Sequence, residues 1–420
     1  MALTIKDAHS IVNTLVKELT GGNSTIQAVD TSSFVSAGEL LLNQAGIDKV
    51  MNALSLIIGR TLIASRPYEP KFDNLNRIDS GLLSGRVRKI SYYSRPALAS
   101  GAFNTDLFTN EADGFTAGQN PDANGTAQST KSQFEQVQAI PVEMNFYSSN
   151  TWQVGLSRYD WQVQEAFTSE ESFLSFIDGC MQEVLNDIAS QKEAFARMAV
   201  LNHIAGVYDE SSVMPGSAVD LVAAFNSEYG TSYTGTDLRT TYKKEFLAFF
   251  VKTFKLTSDL MTYRTSNYHA TPVRNDASGN PLTLLRHTPK DRQKAILYNP
   301  FFVDAETSVL PEIFNDEYLK VENGARVDFW QNFNQPSKID ITPCVTHFGT
   351  GQAVQGSRVQ LPYVLGCIMD EDALWLDFKL DTARVSPPEA RKGYRTTWWT
   401  FLKGVCDDFT ENTVIFYMAS

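Results

Sequence analysis

Carboxylates are the first residues whose types and spacing could do chemistry. Asp370, Glu371 and Asp372 stand together, and Asp407, Asp408 and Glu411 fall within one short segment near the end. Adjacent carboxylates can ligate a hard cation or divide general-acid and general-base roles. Each group follows one strand-like apolar run and precedes another, so both are expected to be solvated turns. Trp375, Trp398 and Trp399 could form a platform for stacking a sugar ring. No carboxylate pair at a readable spacing accompanies them, which favours packing in the core or at an interface. Arg384, Arg391, Lys392 and Arg395 gather around Pro387-Pro388-Glu389. They could hold a phosphate or pair with carboxylates on another subunit, and the rigid, exposed proline bend favours the second. Lys290, Arg292 and Lys294 alternate with Asp291 and Gln293 and read as a solvated strand edge, charged against unwanted pairing.

Elsewhere the reactive groups do not converge. His9, His203, His269, His287 and His347 are scattered, and neither HExxH nor GxSxG occurs. GQAVQGSR, 351–358, has the glycine spacing of a phosphate loop, but Ser357 and Arg358 stand where Lys and Ser/Thr are required. Cys180, Cys344, Cys367 and Cys406 include no CxxC pair and no histidine pair at metal spacing. They are expected to be reduced and buried in an intracellular protein. No catalytic residue, cofactor or metal is expected. The formal net charge of −12 argues against non-specific binding of nucleic acid, which needs clustered Lys and Arg. MALTIKDAHS has neither a basic nor an apolar leader region, so no signal peptide is expected. No apolar run approaches the ~20 residues of a membrane span, and the sequons at Asn23 and Asn124 are read as chance.

The elements that must position these residues follow from periodicity. At 420 residues the chain exceeds the roughly 250–300 at which single cores split, so one elaborate fold or two domains are both allowed. Composition is that of a globular protein, 43% hydrophobic and 20% charged. Residues 1–65 carry a helical pattern, with an apolar stripe within 38–64. Strand-like alternation appears at Arg86–Ser91 and again over 134–147. Between them lies a Gly/Asn/Ser/Thr-rich segment punctuated by Phe103, Phe108 and Phe115, which reads as a projecting arm, because pure linkers are poor in aromatics. Thr168 to Ala205 then reads as one long amphipathic helix. Thr168 is the expected N-cap, Glu171 completes a capping box, and Gly206 stands where a C′ residue belongs. Such a helix runs about 55 Å at 1.5 Å per residue. A second helix is expected over 244–261, a buried strand over 295–302, a helix through Glu306 and Leu310, and strands through much of the remainder. The order is α+β, not regular βαβ alternation.

The last strands carry a resemblance. VLGCIMDEDALWLDFKLDTARVSPPEARKGYRTTWWTFLKGVCDDFTENTVIFYM resembles the C-terminal part of major capsid proteins of tailed bacteriophages, and looks closest to those of small short-tailed phages. There a strand ends in an acidic turn at 368–370, an apolar strand follows at 373–378, and a charged proline bend spans 384–395. An aromatic strand at 396–401 and a final apolar strand at 412–417 complete the pattern. The resemblance implies a Hong Kong 97-like capsid fold. Residues 1–84 would be the N-terminal arm and 85–150 the extended E-loop hairpin. Residues 151–240 would be the peripheral domain with its long spine helix, 241–362 the axial domain, and 363–420 the strands completing the core.

The implied function is a head-shell subunit that self-assembles into pentamers and hexamers of an icosahedral capsid enclosing double-stranded DNA. It would sit in the virion after assembly in the bacterial cytoplasm. Its implied partners are itself, a separate scaffolding protein and a portal, with DNA enclosed without specific binding and no membrane. Arg86, Arg88, Phe103, Phe108, Phe115, Arg384, Arg391, Arg395, Trp398 and Trp399 are the candidate subunit-interface residues. The alternatives are an encapsulin-like compartment shell, another virion component, or a carbohydrate-active enzyme using the tryptophans and acidic turns. A buried carboxylate pair facing one pocket would favour the enzyme.

Overall fold

The computed structural model describes residues 5–19, 27–45, 72, 75–77, 87–94, 139–146, 150–272, 275, 282–301, 303, 325–347, 352–389 and 391–419. Arg86, Phe103, Phe108, Phe115 and the helix expected through Glu306 and Leu310 lie outside the described residues, as does the apolar stripe beyond Ala45.

Two short helices, α1 (Ile5–Leu19) and α2 (Thr31–Leu40), open the fold. Asp30 caps α2 through the Ser33 backbone N–H, and the Ser33 hydroxyl returns to the Asp30 backbone, a reciprocal capping box. After β1 (Asn76–Arg77) comes an antiparallel hairpin of β2 (Val87–Tyr92) and β3 (Pro141–Phe146), with Val87 opposite Phe146 and Tyr92 opposite Pro141. Period-2 alternation gives this hairpin two unlike faces. Val87, Lys89, Ser91, Val142 and Met144 turn towards the body, while Arg88, Ile90, Tyr92, Glu143 and Asn145 are exposed.

β4 (Asn150–Tyr159) and α3 (Asp160–Ala166) lead into α4 (Glu170–Asp209), a helix of 40 residues. Its length is about 60 Å at 1.5 Å per residue. The cap is Ser169, which accepts from the Ser172 N–H at 3.1 Å, rather than Thr168. Gly206 is a second correction, since it lies inside the helix instead of terminating it. A Cβ at Gly206 would stand 2.6 Å from the Phe409 ring, so the glycine is there for close approach. One helix serves two cores. Phe173, Val184 and Ile188 join α1, α2, Trp399 and Phe401 in one cluster. Val200, Ile204 and Val207 join the larger cluster at the other end.

The larger core continues through β5 (Ala218–Asp220), α5 (Leu221–Tyr229), α6 (Gly235–Thr240) and α7 (Lys243–Leu260). Phe246, Phe249, Phe250 and Phe254 of α7 recur at helical spacing and are all buried there. β6 (Gln293–Tyr298) is buried on both faces. The Lys290–Lys294 run is therefore not a solvated strand edge. Lys290–Arg292 is a 3₁₀ turn, and Lys294 is buried in a strand with neighbours on both sides. The small strands β7 (Ala325–Val327), β8 (Ile339–Ile341), β9 (Cys344–His347), β10 (Gln352–Gln355) and β11 (Val359–Leu361) follow.

The last four strands organise the molecule. β12 (Tyr363–Asp370) and β15 (Thr413–Met418) lie in a five-stranded sheet of order β5-β15-β12-β6-β7. β13 (Leu374–Val385) and β14 (Tyr394–Asp407) lie in a four-stranded sheet, β1-β13-β14-β4. The chain thus crosses from one sheet to the other at 371–373 and returns at 408–412. With the helices grouped around these two mixed sheets, the class is α+β.

Within β12 a bulge falls at Val364/Gly366, where Gly366 has φ +158°. A Cβ there would lie 2.5 Å from the Ile296 carbonyl oxygen of neighbouring β6. That atom belongs to a central strand and has nowhere to move. Gly366→Ala is expected to cost about 3 kcal/mol, read as a lower urea midpoint with unchanged slope.

Candidate functional site: the buried turns under the hairpin

The two acidic segments are the two sheet crossings, and they lie side by side. The Asp370 N–H donates to Asn412 O at 2.9 Å and the Asp408 N–H to Ala373 O at 2.8 Å. Both were expected to be solvated, and both are buried at their centres: Asp370, Asp408 and Glu411 are all buried. The reason is satisfaction by partners distant in sequence. Asp370 accepts from the Thr288 hydroxyl at 2.8 Å and from the Asp372 N–H at 2.9 Å. Asp408 accepts from both the N–H and the hydroxyl of Thr410, at 2.9 and 2.7 Å, a local turn motif. Asn412 donates to the Thr288 hydroxyl, tying the two turns together.

Into this pair of turns the hairpin inserts Lys89. Its ammonium contacts both Asp408 and Glu411. The Lys89 side chain is 22% exposed and that of Asp408 2%. Arg286 closes the cluster, donating to Thr410 O at 3.2 Å and to the Ser91 hydroxyl at 2.7 Å, with Glu411 at 3.5 Å. Two cations therefore balance two carboxylates in a confined space. Burial pulls the Lys89 ammonium down, but Asp408 and Glu411 outweigh it and its pKa ends raised. Burial pushes the Glu411 carboxyl up, against the pull of Lys89 and Arg286. The hairpin also rests on apolar supports: Val87 and Phe146 on Trp375 and Cys406, and Val142 and Tyr93 beside Leu284. The clamp fixes the register at which the hairpin leaves the body.

The third tie comes from α4. His203 Nδ1 lies 2.7 Å from Asp407 and Nε2 lies 2.9 Å from the Thr413 hydroxyl, with the imidazole stacked on Phe409. Asn202 donates to Asp407 at 2.7 Å and to Cys344 O at 2.9 Å. A Thr–His–Asp chain has the connectivity of an activated nucleophile. Here His203 is 0% and Thr413 1% exposed, so a substrate has no approach, and the chain instead pins the C-terminal turn to the helix. Among the described residues no three His, Cys, Asp or Glu side chains come together as a metal site. Cys367 is fully buried in the core, and burial pushes its thiol up to about 12. No described helix is long and apolar enough to cross a membrane.

The tryptophan pair divides between the faces of β14. Trp399 is 0% exposed and packs in the chain's own core with Phe401, while Trp398 is 43% exposed. The Trp398 ring lies against Gly155 of β4, where a Cβ would stand 2.7 Å from it. Tyr159, stacked on Trp161 and edge-on to Tyr394, adds to the same end of the sheet. Arg384 is the register partner of Trp398 and is exposed, as is Arg391. Arg395 is buried and donates to Asp160 at 2.8 Å, so it is occupied within the subunit. Arg88 is exposed on the hairpin's outer face, paired with Glu143 at 2.7 Å. Arg384 and Trp398 are thus exposed side by side on β13 and β14, Arg391 is exposed in the turn between those strands, and Arg395 and Trp399 turn inward. Lys89, Arg286, His203 and the buried state of Asp408 and Glu411 were missed from sequence. One signal existed: alternation puts Lys89 on the same face as Val87, and a lysine there requires a counter-charge.

No protein-family model matches the chain, and no curated protein matches it. Solved structures do. A capsid structure of Staphylococcus phage Andhra superposes with a TM-score of 0.48 at 10% identity, covering 82% of this chain and 83% of that chain. A structure of the head fibre and inner core protein gp22 of native bacteriophage P68 gives 0.48 at 8% identity, over 83% of this chain and 85% of that chain. The capsid structure of Cyanophage P-SCSP1u gives 0.40 at 11% identity, over 84% and 89%.

Proposed function

We propose that this chain is the major head-shell subunit of a tailed bacteriophage, closing as pentamers and hexamers into an icosahedral capsid around double-stranded DNA. The observation that carries the reading is the clamped hairpin. Lys89, Asp408, Glu411 and Arg286 tie it to the body, yet its outer face presents Ile90 and Tyr92 to solvent. An arm whose exposed face sets Ile90 and Tyr92 among polar groups, the Arg88–Glu143 pair included, is suited to lie on a neighbour. Repeated in closed symmetry, modest contacts of this kind give a stable shell.

The long helix supports the same reading, because one rigid rod joining two cores keeps contacts made at one end in register with those at the other. The tail's likeness to phage capsid proteins agrees with it. On this reading 1–84 is the arm, 85–150 the E-loop, 151–240 the peripheral domain, 241–362 the axial domain and 363–420 the completing strands. A separate scaffolding protein and a portal are its partners, and the virion its final location. The carbohydrate-enzyme alternative required two buried carboxylates facing one pocket. Asp408 and Glu411 are buried together, but the Lys89 ammonium lies against both of them.

The test is the mass distribution of the purified chain by mass photometry, alone and after co-expression with neighbouring genes. Rings of five and six or closed shells are expected, and a monomer under every condition would overturn the proposal.

A further inference from the structure

The four-stranded sheet β1-β13-β14-β4 ends on β4 at one side. β4 pairs with β14 along its whole length, Asn150 opposite Lys403 and Tyr159 opposite Tyr394, and no described strand pairs with its other edge. Ladder groups alternate between the two sides of a strand. Thr396 O accepts from the Ser386 N–H at 2.8 Å, so the Thr396 ladder groups face β13. Those of Arg395, Thr397, Trp399 and Phe401 then face β4, where their register partners are Arg158, Leu156, Val154 and Trp152. The backbone groups of Thr151, Gln153, Gly155 and Ser157 are left pointing out along the free edge. At its end the Tyr159 N–H is taken by the Gln162 side chain at 3.1 Å.

This edge is unguarded. Exposed strand edges are ordinarily blocked by charge, proline or a bulge. The opposite edge of the same sheet follows that rule. β1 covers Leu376 and Asp377, Lys379 and Arg384 are exposed beyond it, and the β13 register shifts between Leu380 and Thr382. β4 reads NTWQVGLSRY, with no proline, no acid and Arg158 as its one charge, and it pairs with β14 without a shift. Its inner side chains are also incompletely covered. Val154 and Leu156 are partly buried, while their register partners Trp399 and Thr397 are wholly buried. On the outer side the six-membered ring of Trp398 leans across from β14 over Gly155 of β4.

An unguarded edge calls for a strand, and β4 complements itself. Two copies related by a two-fold axis normal to the sheet run antiparallel and keep inner face with inner and outer with outer. With Gly155 of each copy facing the other at the axis, Gln153 falls opposite Ser157, Val154 opposite Leu156 and Arg158 opposite Trp152, so no like charges meet. The two Trp398 rings, each over its own Gly155, then adjoin across the axis. We infer that β4 pairs antiparallel with β4 of a second copy, joining two four-stranded sheets into one across a two-fold axis. The inference rests on the shell reading and deepens it. Rings of five and six close into a shell only when they are also joined to one another, and a two-fold, isologous contact does that.

Negative-stain imaging of the full chain, co-expressed with neighbouring genes, tests it by counting rings against closed shells. Gln153→Lys with Ser157→Lys sets lysine against lysine across the axis. Closed shells are expected to fall roughly tenfold or more while rings persist. Gln153→Glu with Ser157→Lys sets opposite charges against each other and is expected to close shells as wild type does. Gln153→Pro removes an N–H that bonds no strand of its own subunit, and is expected to give rings without shells. Circular dichroism and melting temperature confirm that each variant is folded. If the double-lysine or the proline variant closes shells as well as wild type, the pairing is wrong and the shell reading stands. A Glu–Lys variant no better than the double lysine, or loss of rings together with shells, also overturns the pairing. A wild type that never assembles removes the shell reading and this inference with it.

Discussion

Trp399→Ala is expected to destabilise the folded subunit by about 3–5 kcal/mol, the range for emptying a buried aromatic site. Its indole is wholly buried and packs in the cluster of Phe173, Ile188 and Phe401, where α1, α2, α4 and the sheet converge. The surrounding elements come from four separate parts of the chain, so the cavity cannot close by a local shift. Trp398→Ala, one residue away, is expected to cost only about 1 kcal/mol, because its ring packs over Gly155 but is still 43% exposed. Urea denaturation of the two variants side by side measures the difference. Equal losses would mean that the faces of β14 are assigned wrongly.

Lys89→Met is the second large effect. It leaves Asp408 and Glu411 buried with only Arg286 to compensate them, and removing one partner of a buried charge cluster costs about 3–5 kcal/mol. Arg88→Met, on the opposite face and in a well-exposed pair, is expected to cost at most about 0.5 kcal/mol. Hydrogen exchange adds a local readout: β2 and β3 should lose protection in Lys89→Met and keep it in Arg88→Met. The pH dependence has a definite sign. The Lys89 pKa is raised above its ordinary 10.5, so its contribution is complete below that value and lost as pH rises through the folded pKa. Glu411, also raised above its ordinary 4.5, binds its proton more tightly when folded, so its own linkage likewise favours lower pH. The hairpin should therefore loosen in alkali. A wild-type melting temperature that falls above about pH 10.5 no faster than that of Lys89→Met would contradict the clamp.

Much of the architecture was legible because it is periodic. The apolar stripe of α4 runs at the helical period without a proline, and the alternation of β2, β3, β13 and β14 is plain. What sequence could not supply were contacts across long separations. The turn at 408–411 reads as polar and solvated until Lys89 and Arg286, both more than a hundred positions away in the chain, are placed on it. Gly206 reads as a helix stop until Phe409 is seen to press against it. Lys294 reads as surface until β12 and β7 flank its strand. For the tryptophans, alternation separated the pair but left the faces open. Phe401 shares the parity of Trp399, and that was the available hint of which one turns inward.

The central claim is closed self-assembly, and cryo-electron microscopy of particles from cells making this chain, alone and with neighbouring genes co-expressed, tests it most directly. The account predicts icosahedral shells whose five- and six-fold rings place the outer face of the β2–β3 hairpin against a neighbouring copy. Compact, well-folded single subunits at every concentration and with every co-expressed partner would contradict it.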